Sequence, residues 1–324
     1  MWPVTRRTKL GGGALALAMV CLAGWVLFGF GKAERVLQLV PRLRLGFRRY
    51  AAASAAPSPR MAKLPNVYLW AWERPEDLRF LGDQKVGVAF LAKTISVKEP
   101  SAEEIAQGQD GIFVRPRLQP LRIIPGTPLM AVVRIEALQG AIHSNNGSAG
   151  SSASISATQT LLITNEIASA ANIPGVSAVQ IDFDATLSEH DFYRALLVEV
   201  RKRLPNGIPL NITALASWCI GDRWLEQLPP GTIDEAVPML FRMGTGEREI
   251  VNYISSGDEF RVAACETSVG VSTDEAFSRG ILAERIAVNG ENRKSERIYI
   301  FSPQAWDQVH AETALGEIQK WHAN

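Results

Sequence analysis

The sequence predicts an α/β protein, a (β/α)8 TIM-type barrel preceded by a single N-terminal transmembrane helix. Short β-rich runs alternate with helical stretches across residues 61–324, and eight such runs can be counted. This alternation is typical of parallel strands joined by helical crossovers, and about 250 residues is the usual length of an eight-stranded barrel of this kind. A long segment without charge lies near the N-terminus and predicts the membrane helix.

The composition is that of a folded protein. Of 324 residues, 47% are hydrophobic, and 34 basic residues oppose 33 acidic ones, which gives a net charge of +1. This balance excludes a generally basic nucleic-acid binder and an acidic disordered chain. Three cysteines exclude a disulfide-rich scaffold, and no Cys or His spacing indicates a zinc site. We therefore predict no metal, no cofactor and no nucleic-acid partner, and the oligomeric state stays open.

The N-terminal segment is predicted to anchor the chain in a membrane. Leu10–Gly31 contains no charged side chain, and its 22 residues could cross about 30 Å of hydrocarbon as a helix. Basic residues precede it, as they do in a secretory signal, but a signal has an apolar region of about 7–15 residues and a cleavage site soon afterwards. Here the small residues of Ala51–Ala56 come much later. We favour an uncleaved anchor over a removed signal peptide.

The residues after the apolar segment leave two questions open. Six basic residues follow it between Lys32 and Arg49, which by the positive-inside rule favours a cytoplasmic barrel, whereas a short basic start before one apolar run is typical of export. We favour a bacterial inner-membrane protein with its barrel on the periplasmic side. Arg35–Tyr50 either lies on the membrane surface or is a solvated spacer. Residues 1–60 then form the anchor, basic segment and linker, and 61–324 form the barrel domain.

The elements of the barrel domain can be assigned in order. The predicted strands are Val67–Trp72, Val86–Leu91, Leu129–Ile135, Ala178–Asp184, Leu210–Ala216, Ala236–Phe241, Val262–Cys265 and Ile298–Phe301. Helices are predicted at Thr158–Ala171, Asp191–Leu204 and Gln304–Trp321. Helix-stopping Pro and Gly residues follow the first two.

Two segments depart from a simple barrel. Gly111–Ile124 is apolar and interrupted by proline, and we predict a β-hairpin over the barrel mouth. Gly140–Ser156 consists mostly of Gly, Ser, Asn and Ala and follows the third strand, on the face where barrel enzymes carry their active sites. It is either a mobile lid or simply a flexible loop, and its composition favours the loop.

Charged side chains gather at the predicted strand ends. Asp182 and Asp184 share one face of the fourth strand, opposite Val179, Ile181 and Phe183, because side chains alternate with a period of two. Aliphatic residues belong under the outer helices, so both aspartates should point into the barrel. The side chains expected to meet at one mouth are Arg134, Glu136, Asp182, Asp184, Arg242 and Glu266.

Carboxylates across a cleft are what glycoside hydrolysis requires. Many retaining barrel glycosidases carry their carboxylates at the ends of the fourth and seventh strands. By that arrangement Asp184 would be the acid/base and Glu266 the nucleophile, with Asp182 beside them. Arg134, Glu136 and Arg242 would bind substrate. The alternatives are an ion-pair network that only holds the barrel together, and a non-catalytic barrel that binds or scaffolds carbohydrate.

Tryptophans near strand ends could stack on sugar rings. Trp72, Trp218 and Trp306 lie close to the predicted mouth, and we place them in the substrate-binding set. Trp70 shares a face of the first strand with Tyr68, which favours packing in the core. Cys219 and Cys265 lie near ends of the barrel and are either paired by a disulfide or, as we favour, buried thiols.

Three motifs resemble a bacterial family known only as domain of unknown function number 3142. They are the run LPNVYLWAWERP at 64–75, VQIDFDA at 179–185 and YIFSP at 299–303. This resemblance implies a barrel related to glycosidases, without an established reaction. The second motif is also similar to the Asp-x-x-Asp-x-Asp-x-Glu motif of family-18 chitinases. Matching Asp182 and Asp184 to its last two aspartates puts Thr186 at the catalytic glutamate, and a threonine cannot protonate a leaving sugar.

The function predicted from the sequence is therefore a membrane-anchored, glycoside-hydrolase-like barrel that acts on an envelope or extracellular polysaccharide. A phosphate-binding loop and a Gly-x-Ser-x-Gly nucleophile motif are both missing from the sequence.

Overall fold

The computed structural model describes residues 57–82, 85–138, 155–256, 260–275, 280 and 296–323. The predicted membrane helix, the basic segment after it and all but the last two residues of Gly140–Ser156 lie outside this part of the chain. Within the described residues, no helix combines the length and apolar character that crossing a membrane requires.

The described strands and helices follow one another in the order expected of a barrel. The strands are β1 (Val67–Ala71), β2 (Glu76–Asp77), β3 (Val86–Val97), β4 (Ile112–Pro116), β5 (Leu121–Arg122), β6 (Leu129–Ala137), β7 (Val176–Asp182), β8 (Leu210–Leu215), β9 (Glu235–Met239), β10 (Ser268–Ser272) and β11 (Arg297–Phe301). The helices are α1 (Ala102–Ala106), α2 (Ala157–Ser169), α3 (His190–Arg203), α4 (Ala216–Ile220), α5 (Glu247–Ser255) and α6 (Gln308–Ala323).

Eight parallel strands close into a barrel. Their order around the sheet is β1, β3, β6, β7, β8, β9, β10 and β11, and β11 pairs with β1 to complete the circle. Neighbours in the barrel are therefore also successive barrel strands of the chain, which is the topology of a (β/α)8 barrel. The predicted fold class of the domain is confirmed.

Alternate side chains fill the barrel interior, while the others pack beneath the helices. The interior cluster consists of Tyr68, Trp70, Ala89, Met130, Val132, Ala178, Val237 and Tyr299. Aliphatic residues on the opposite face of each strand belong to a second, larger cluster that includes the buried sides of α2 and α3. Strands buried on both faces are expected in a parallel sheet covered by helices.

Capping and proline chemistry set the ends of the two long crossover helices. At the start of α2, Ser156 Oγ accepts a hydrogen bond from the Gln159 backbone and Gln159 Oε1 accepts one from the Ser156 backbone, at 3.1 and 2.8 Å. This reciprocal pair is a capping box. Helix α3 ends just before Leu204, because Pro205 disfavours helical geometry in the residue before it. The three predicted helices are confirmed, with α6 starting four residues later than expected.

The seventh predicted strand is wrong. Residues Ala263–Cys265 form a 3-10 turn, and the strand is β10, a few residues further on. Only Val262 and Cys265 of this apolar run are buried. Cys265 forms a disulfide with Cys219 of α4, so the expectation of free core thiols is also wrong. A short apolar run does not by itself distinguish a strand from another buried segment.

The region around Gly111–Ile124 is β-structure, but it does not form the predicted hairpin. Strand β3 continues past the predicted end at Leu91 to Val97, and β4 pairs antiparallel with this extension. Strand β5 instead pairs with β2. The extension and β4 raise the wall of the barrel beside β6.

An ion pair is buried within the barrel near the amino ends of its strands. Arg297 Nη1 lies 2.6 Å from Glu235 Oε1, and the Tyr299 hydroxyl donates to Glu235 Oε2 at 2.6 Å. Asn211 Nδ2 donates to the same carboxylate oxygen at 3.0 Å. Burial raises the pKa of the Glu235 carboxyl, and the Arg297 charge opposes that effect. This network belongs to the core of the barrel rather than to its mouth.

Candidate functional site

A cavity of about 340 Å³ opens at the carboxyl ends of the barrel strands. We call it the aromatic lobe, because Trp70, Trp72, Phe241 and Phe301 line it. The rings of Phe241 and Phe301 stack at 5.5 Å, and Trp72 meets Phe301 edge-on at 6.4 Å. Active sites of (β/α)8 enzymes occupy this face of the barrel.

Trp70 forms the floor of the aromatic lobe. Its side chain is only 3% exposed and stacks on Tyr299 at 5.3 Å. The indole Nε1 donates to Gln180 Oε1 at 2.8 Å, which satisfies the one polar group of a buried tryptophan. Trp70 is thus chiefly a packing residue, as expected, although part of its ring reaches the cavity.

Asp182 is the buried carboxylate of the site. It ends β7 with 7% of its surface exposed, and its Oδ1 accepts a hydrogen bond from the Thr213 hydroxyl at 2.8 Å. Arg134 Nη1 is 3.7 Å from its Oδ2. Burial is the main cause that raises the pKa of Asp182 to about 6, and the charge of Asp184 adds to it. The hydrogen bond from Thr213 and the charge of Arg134 act in the opposite direction.

Asp184 lies two residues further along and also lines the aromatic lobe. Its side chain is exposed, whereas the intervening Phe183 is buried beneath α3, with its ring 5.1 Å from Tyr193. The predicted alternation is therefore observed beyond the end of β7. Both aspartates face the mouth, as the sequence predicts.

Arg134 connects several parts of the site from the end of β6. Its Nε is 3.0 Å from Glu136 Oε1, and its guanidinium lies 5.7 Å from the ring centre of Trp72. Together with the contact to Asp182, these interactions hold one cation between two carboxylates and an aromatic face. Arg134, Glu136 and Trp72 are thus at the mouth, where the sequence places them.

A second cavity, of about 370 Å³, lies on the other side of the aspartates. Glu136, Leu138, Thr186 and Glu189 line it, and we call it the polar lobe. Arg134, Asp182 and Asp184 line both lobes. The two cavities therefore meet along these three side chains.

Thr186 has a structural role in the polar lobe. Its hydroxyl donates to Glu189 Oε2 at 2.8 Å, and its backbone N–H donates to the same oxygen. These bonds start the 3-10 turn Leu187–Glu189 that leads into α3. Thr186 therefore caps a turn and supplies no carboxyl group at this position.

Arg242 lines the aromatic lobe but pairs away from β7. Its Nη2 is 3.2 Å from Asp274 Oδ2, its backbone N–H donates to Glu275, and its guanidinium lies 5.2 Å from the Phe301 ring centre. Its backbone φ is 51°, a left-handed conformation that residues other than glycine rarely adopt and that is enriched at functional sites.

Glu266 does not belong to the mouth. It follows the Ala263–Cys265 turn and precedes β10, so it lies at the amino ends of the barrel strands. Asp184 follows the carboxyl end of β7, at the opposite end of the barrel. The predicted pairing of Glu266 with Asp184 across one cleft is therefore wrong, and the error follows directly from the misplaced seventh strand.

Trp218 and Trp306 also lie outside the mouth. Trp218, 3% exposed, packs edge-on against Trp224 at 5.1 Å in the layer between the strands and α3. Trp306, 4% exposed, donates from Nε1 to the backbone oxygen of Trp70 at 2.9 Å. Both are therefore packing residues. The prediction from the sequence failed because a tryptophan near a strand end can point either into the mouth or behind the barrel wall.

Several lining residues were not singled out from the sequence. Thr213, Ser217, Met239, Phe241 and Phe301 all line the aromatic lobe. The period-two alternation of β8 and β11 carries a signal for Thr213 and Phe301, since each lies on the same face as an interior residue of its strand. Within the described residues, no three His, Cys, Asp or Glu side chains are grouped so as to hold a metal ion.

The chain matches no family model and no curated protein. Solved structures similar to it include a chitinase from Rhizomucor miehei, 10% identical over 79% of this chain and 99% of that one, with a TM-score of 0.44. The spore cortex-lytic enzyme SleL of Bacillus cereus is 17% identical over 64% of this chain and 51% of its own length, with a TM-score of 0.36. The chitinase domain of the spore coat protein CotE from Clostridium difficile is 10% identical over 76% of this chain and 67% of that domain, with a TM-score of 0.34.

Proposed function

We propose that the protein is a glycoside hydrolase that acts on an envelope or extracellular polysaccharide through Asp182 and Asp184. One observation carries the proposal: two carboxylates project from the end of β7 into a cavity walled by aromatic rings. A carboxyl group with a raised pKa is suited to protonating a glycosidic oxygen. Aromatic rings offer flat apolar faces that match the apolar faces of sugar rings.

Asp182 is the better proton donor of the pair. It is buried and has a pKa raised to about 6, whereas the Asp184 side chain is exposed to the cavity. Two carboxylates in different environments can divide the work, one donating a proton and the other stabilising the positive charge that develops on the sugar. This assignment reverses the one made from the sequence, in which Asp184 is the acid/base.

A non-catalytic carbohydrate-binding barrel is the second candidate, and one observation favours it. Among the described residues that line the aromatic lobe, the carboxylates are Asp182, the last residue of β7, and Asp184, two residues further along the chain. Most glycosidases place a second carboxylate on the other side of the scissile bond. A cleft with this wall could hold a sugar without cleaving it.

Hydrolysis assays separate the two candidates. The full-length protein is tested on a panel of bacterial envelope polysaccharides and aryl glycosides, beside Asp182→Asn and Asp184→Asn. We expect each substitution to lower turnover by roughly 10²–10⁴, the usual contribution of acid–base catalysis. The matched control is Asp191→Asn, which removes an exposed carboxylate on α3 and should leave turnover unchanged. Undiminished turnover in both site variants, or binding of glycans without turnover in the native protein, refutes the hydrolase.

We also propose that the barrel lies on the periplasmic side of a bacterial inner membrane, held by the predicted helix at Leu10–Gly31. The Cys219–Cys265 disulfide supports an oxidising compartment, since disulfides persist in the periplasm and are rare in the cytosol. Protease digestion of spheroplasts tests the orientation: a periplasmic barrel is degraded, and a cytoplasmic one survives until the cells are lysed.

A further inference from the structure

The two cavities at the barrel mouth form one cleft with the acid pair between its halves. Arg134, Asp182 and Asp184 line both lobes, while the remaining lining residues differ completely. The aromatic lobe extends from these residues toward β8, β9 and β11. The polar lobe extends the other way, over the end of β6 and the segment that follows β7.

The lobes offer different contacts to a ligand. The aromatic lobe is lined by the side chains of Trp72, Phe241 and Phe301, and aromatic surface of this kind suits the apolar face of a sugar. The polar lobe presents Glu136, whose Oε2 accepts a long hydrogen bond of 3.5 Å from Ser96 Oγ, and the half-buried Arg134. These groups can accept hydrogen bonds from sugar hydroxyls and donate to them. Each lobe falls in the usual range of about 300–1,000 Å³ for small-ligand sites.

We propose that the substrate is a glycan chain that crosses the barrel mouth, with sugar units bound in both lobes and the scissile bond above Asp182 and Asp184. This inference rests on the proposed function and adds a substrate class: an oligosaccharide or an internal stretch of a polymer, rather than a terminal monosaccharide. A ligand confined to one lobe would leave the other empty and would place its end, not a linkage, beside the acids.

The reaction balances without a further reactant. Asp182 donates its proton to the glycosidic oxygen as the bond from that oxygen to the anomeric carbon breaks. Water then supplies a hydroxyl group to the anomeric carbon, and the remaining proton of that water returns to the Asp182 carboxylate. The sugar units on either side of the broken bond stay in separate lobes until they dissociate.

Arg134 is the positioning residue of this arrangement. Its contacts with Glu136, Asp182 and the Trp72 ring span both lobes, so it fixes the wall of the aromatic lobe relative to that of the polar lobe. A chain that crosses the mouth must pass this side chain.

Oligomer series test the inference. Chitin, cellulose and peptidoglycan glycan strands are supplied from the monosaccharide to the hexasaccharide, and binding to the full-length protein is measured by calorimetry beside product analysis. We expect the tetrasaccharide of the recognised series to bind at least about tenfold more tightly than the disaccharide, and cleavage to occur at internal linkages. Trp72→Ala and Glu136→Gln, one in each lobe, should each weaken tetrasaccharide binding by about tenfold.

Matched controls and the contrary outcomes are defined by the same assay. Phe113→Ala on β4 and Glu199→Gln on α3 remove exposed groups outside both lobes and should change nothing. Thermal unfolding of each variant verifies that it is folded. Equal binding of the disaccharide and tetrasaccharide, or weaker binding in only one of the two lobe variants, overturns the extended cleft. If hydrolysis in that case still depends on Asp182, the proposed function stands. Failure of every series to bind or react overturns both.

Discussion

Ionised Asp182 should make the folded protein less stable near neutral pH, and Asp182→Asn should remove that cost. The raised pKa means that the folded state binds the Asp182 proton more tightly than the unfolded state does. Its contribution to stability is therefore complete below the ordinary aspartate pKa of about 3.9 and is lost as the pH rises through about 6. A shift of about two units corresponds to roughly 3 kcal/mol in the free energy of unfolding.

The asparagine variant preserves the shape of the side chain but cannot ionise. Its amide oxygen can still accept the hydrogen bond from Thr213, and no charge has to be desolvated. Urea denaturation of the native protein and of Asp182→Asn, repeated between pH 4 and pH 8, gives the difference in free energy of unfolding. We expect that difference to move in favour of the variant by about 2–3 kcal/mol over this range, most of it below pH 6.5.

Asp234 supplies the matched control, because it is an equally buried carboxylate with better partners. Arg60 Nε lies 2.8 Å from its Oδ1, and the Leu210 backbone donates to its Oδ2 at 2.8 Å. Asp234→Asn should therefore destabilise the protein at neutral pH. A raised Asp182 pKa is refuted if the difference curve is flat from pH 4 to pH 8, or if Asp182→Asn destabilises the neutral protein as strongly as the control does. Such a result would identify Asp182 as part of a structural ion pair.

Three further predictions concern stability. Arg297→Met leaves the buried Glu235 carboxylate without its cation and should cost about 3–5 kcal/mol by chemical denaturation, with partial recovery when Glu235→Gln is added; an additive double variant would contradict the coupling. Reducing the disulfide, which joins residues 46 apart in sequence, should lower the free energy of unfolding by about 2–4 kcal/mol, and an unchanged denaturation midpoint in reductant would contradict this. Gly87→Ala would place a Cβ 2.3 Å from the Tyr68 ring and should cost about 1–3 kcal/mol in the same assay, whereas a neutral effect would show that the ring can move.

Most of the barrel could be predicted because its signals are local. Five of the eight barrel strands, β1, β3, β6, β8 and β11, each contain at least four Val, Ile, Leu, Thr or aromatic residues. Helices α2 and α3 have an apolar face and clear stop residues. The same alternation that identified β7 also placed Asp182 and Asp184 at the mouth. Where the period of a strand is visible, the direction of its side chains follows from it.

The remaining site residues depend on contacts that no local pattern contains. Trp218 and Trp306 lie behind the barrel wall rather than at the mouth. Their positions are fixed by contacts with residues distant in the sequence or on another element, Trp224 for Trp218 and the Trp70 backbone for Trp306. The second lobe is likewise visible only once β6 and the turn after β7 lie side by side. Sequence separation hides such contacts.

The misplaced seventh strand has a cause in the site itself. Strand β10 reads Ser-Val-Gly-Val-Ser, with its small residues facing the barrel interior. A Cβ at Gly270 would lie 2.9 Å from the Trp70 ring, so the bulk of Trp70 on β1 requires the absence of a side chain on β10. The interior volume that β10 gives up is filled by the tryptophan that forms the floor of the aromatic lobe. The weak strand signal of β10 and the shape of the cavity therefore follow from the same packing. Because β10 has small interior residues where Trp70 fills the space, its sequence does not resemble a strand, and the nearby apolar run Val262–Cys265 was assigned as the strand instead.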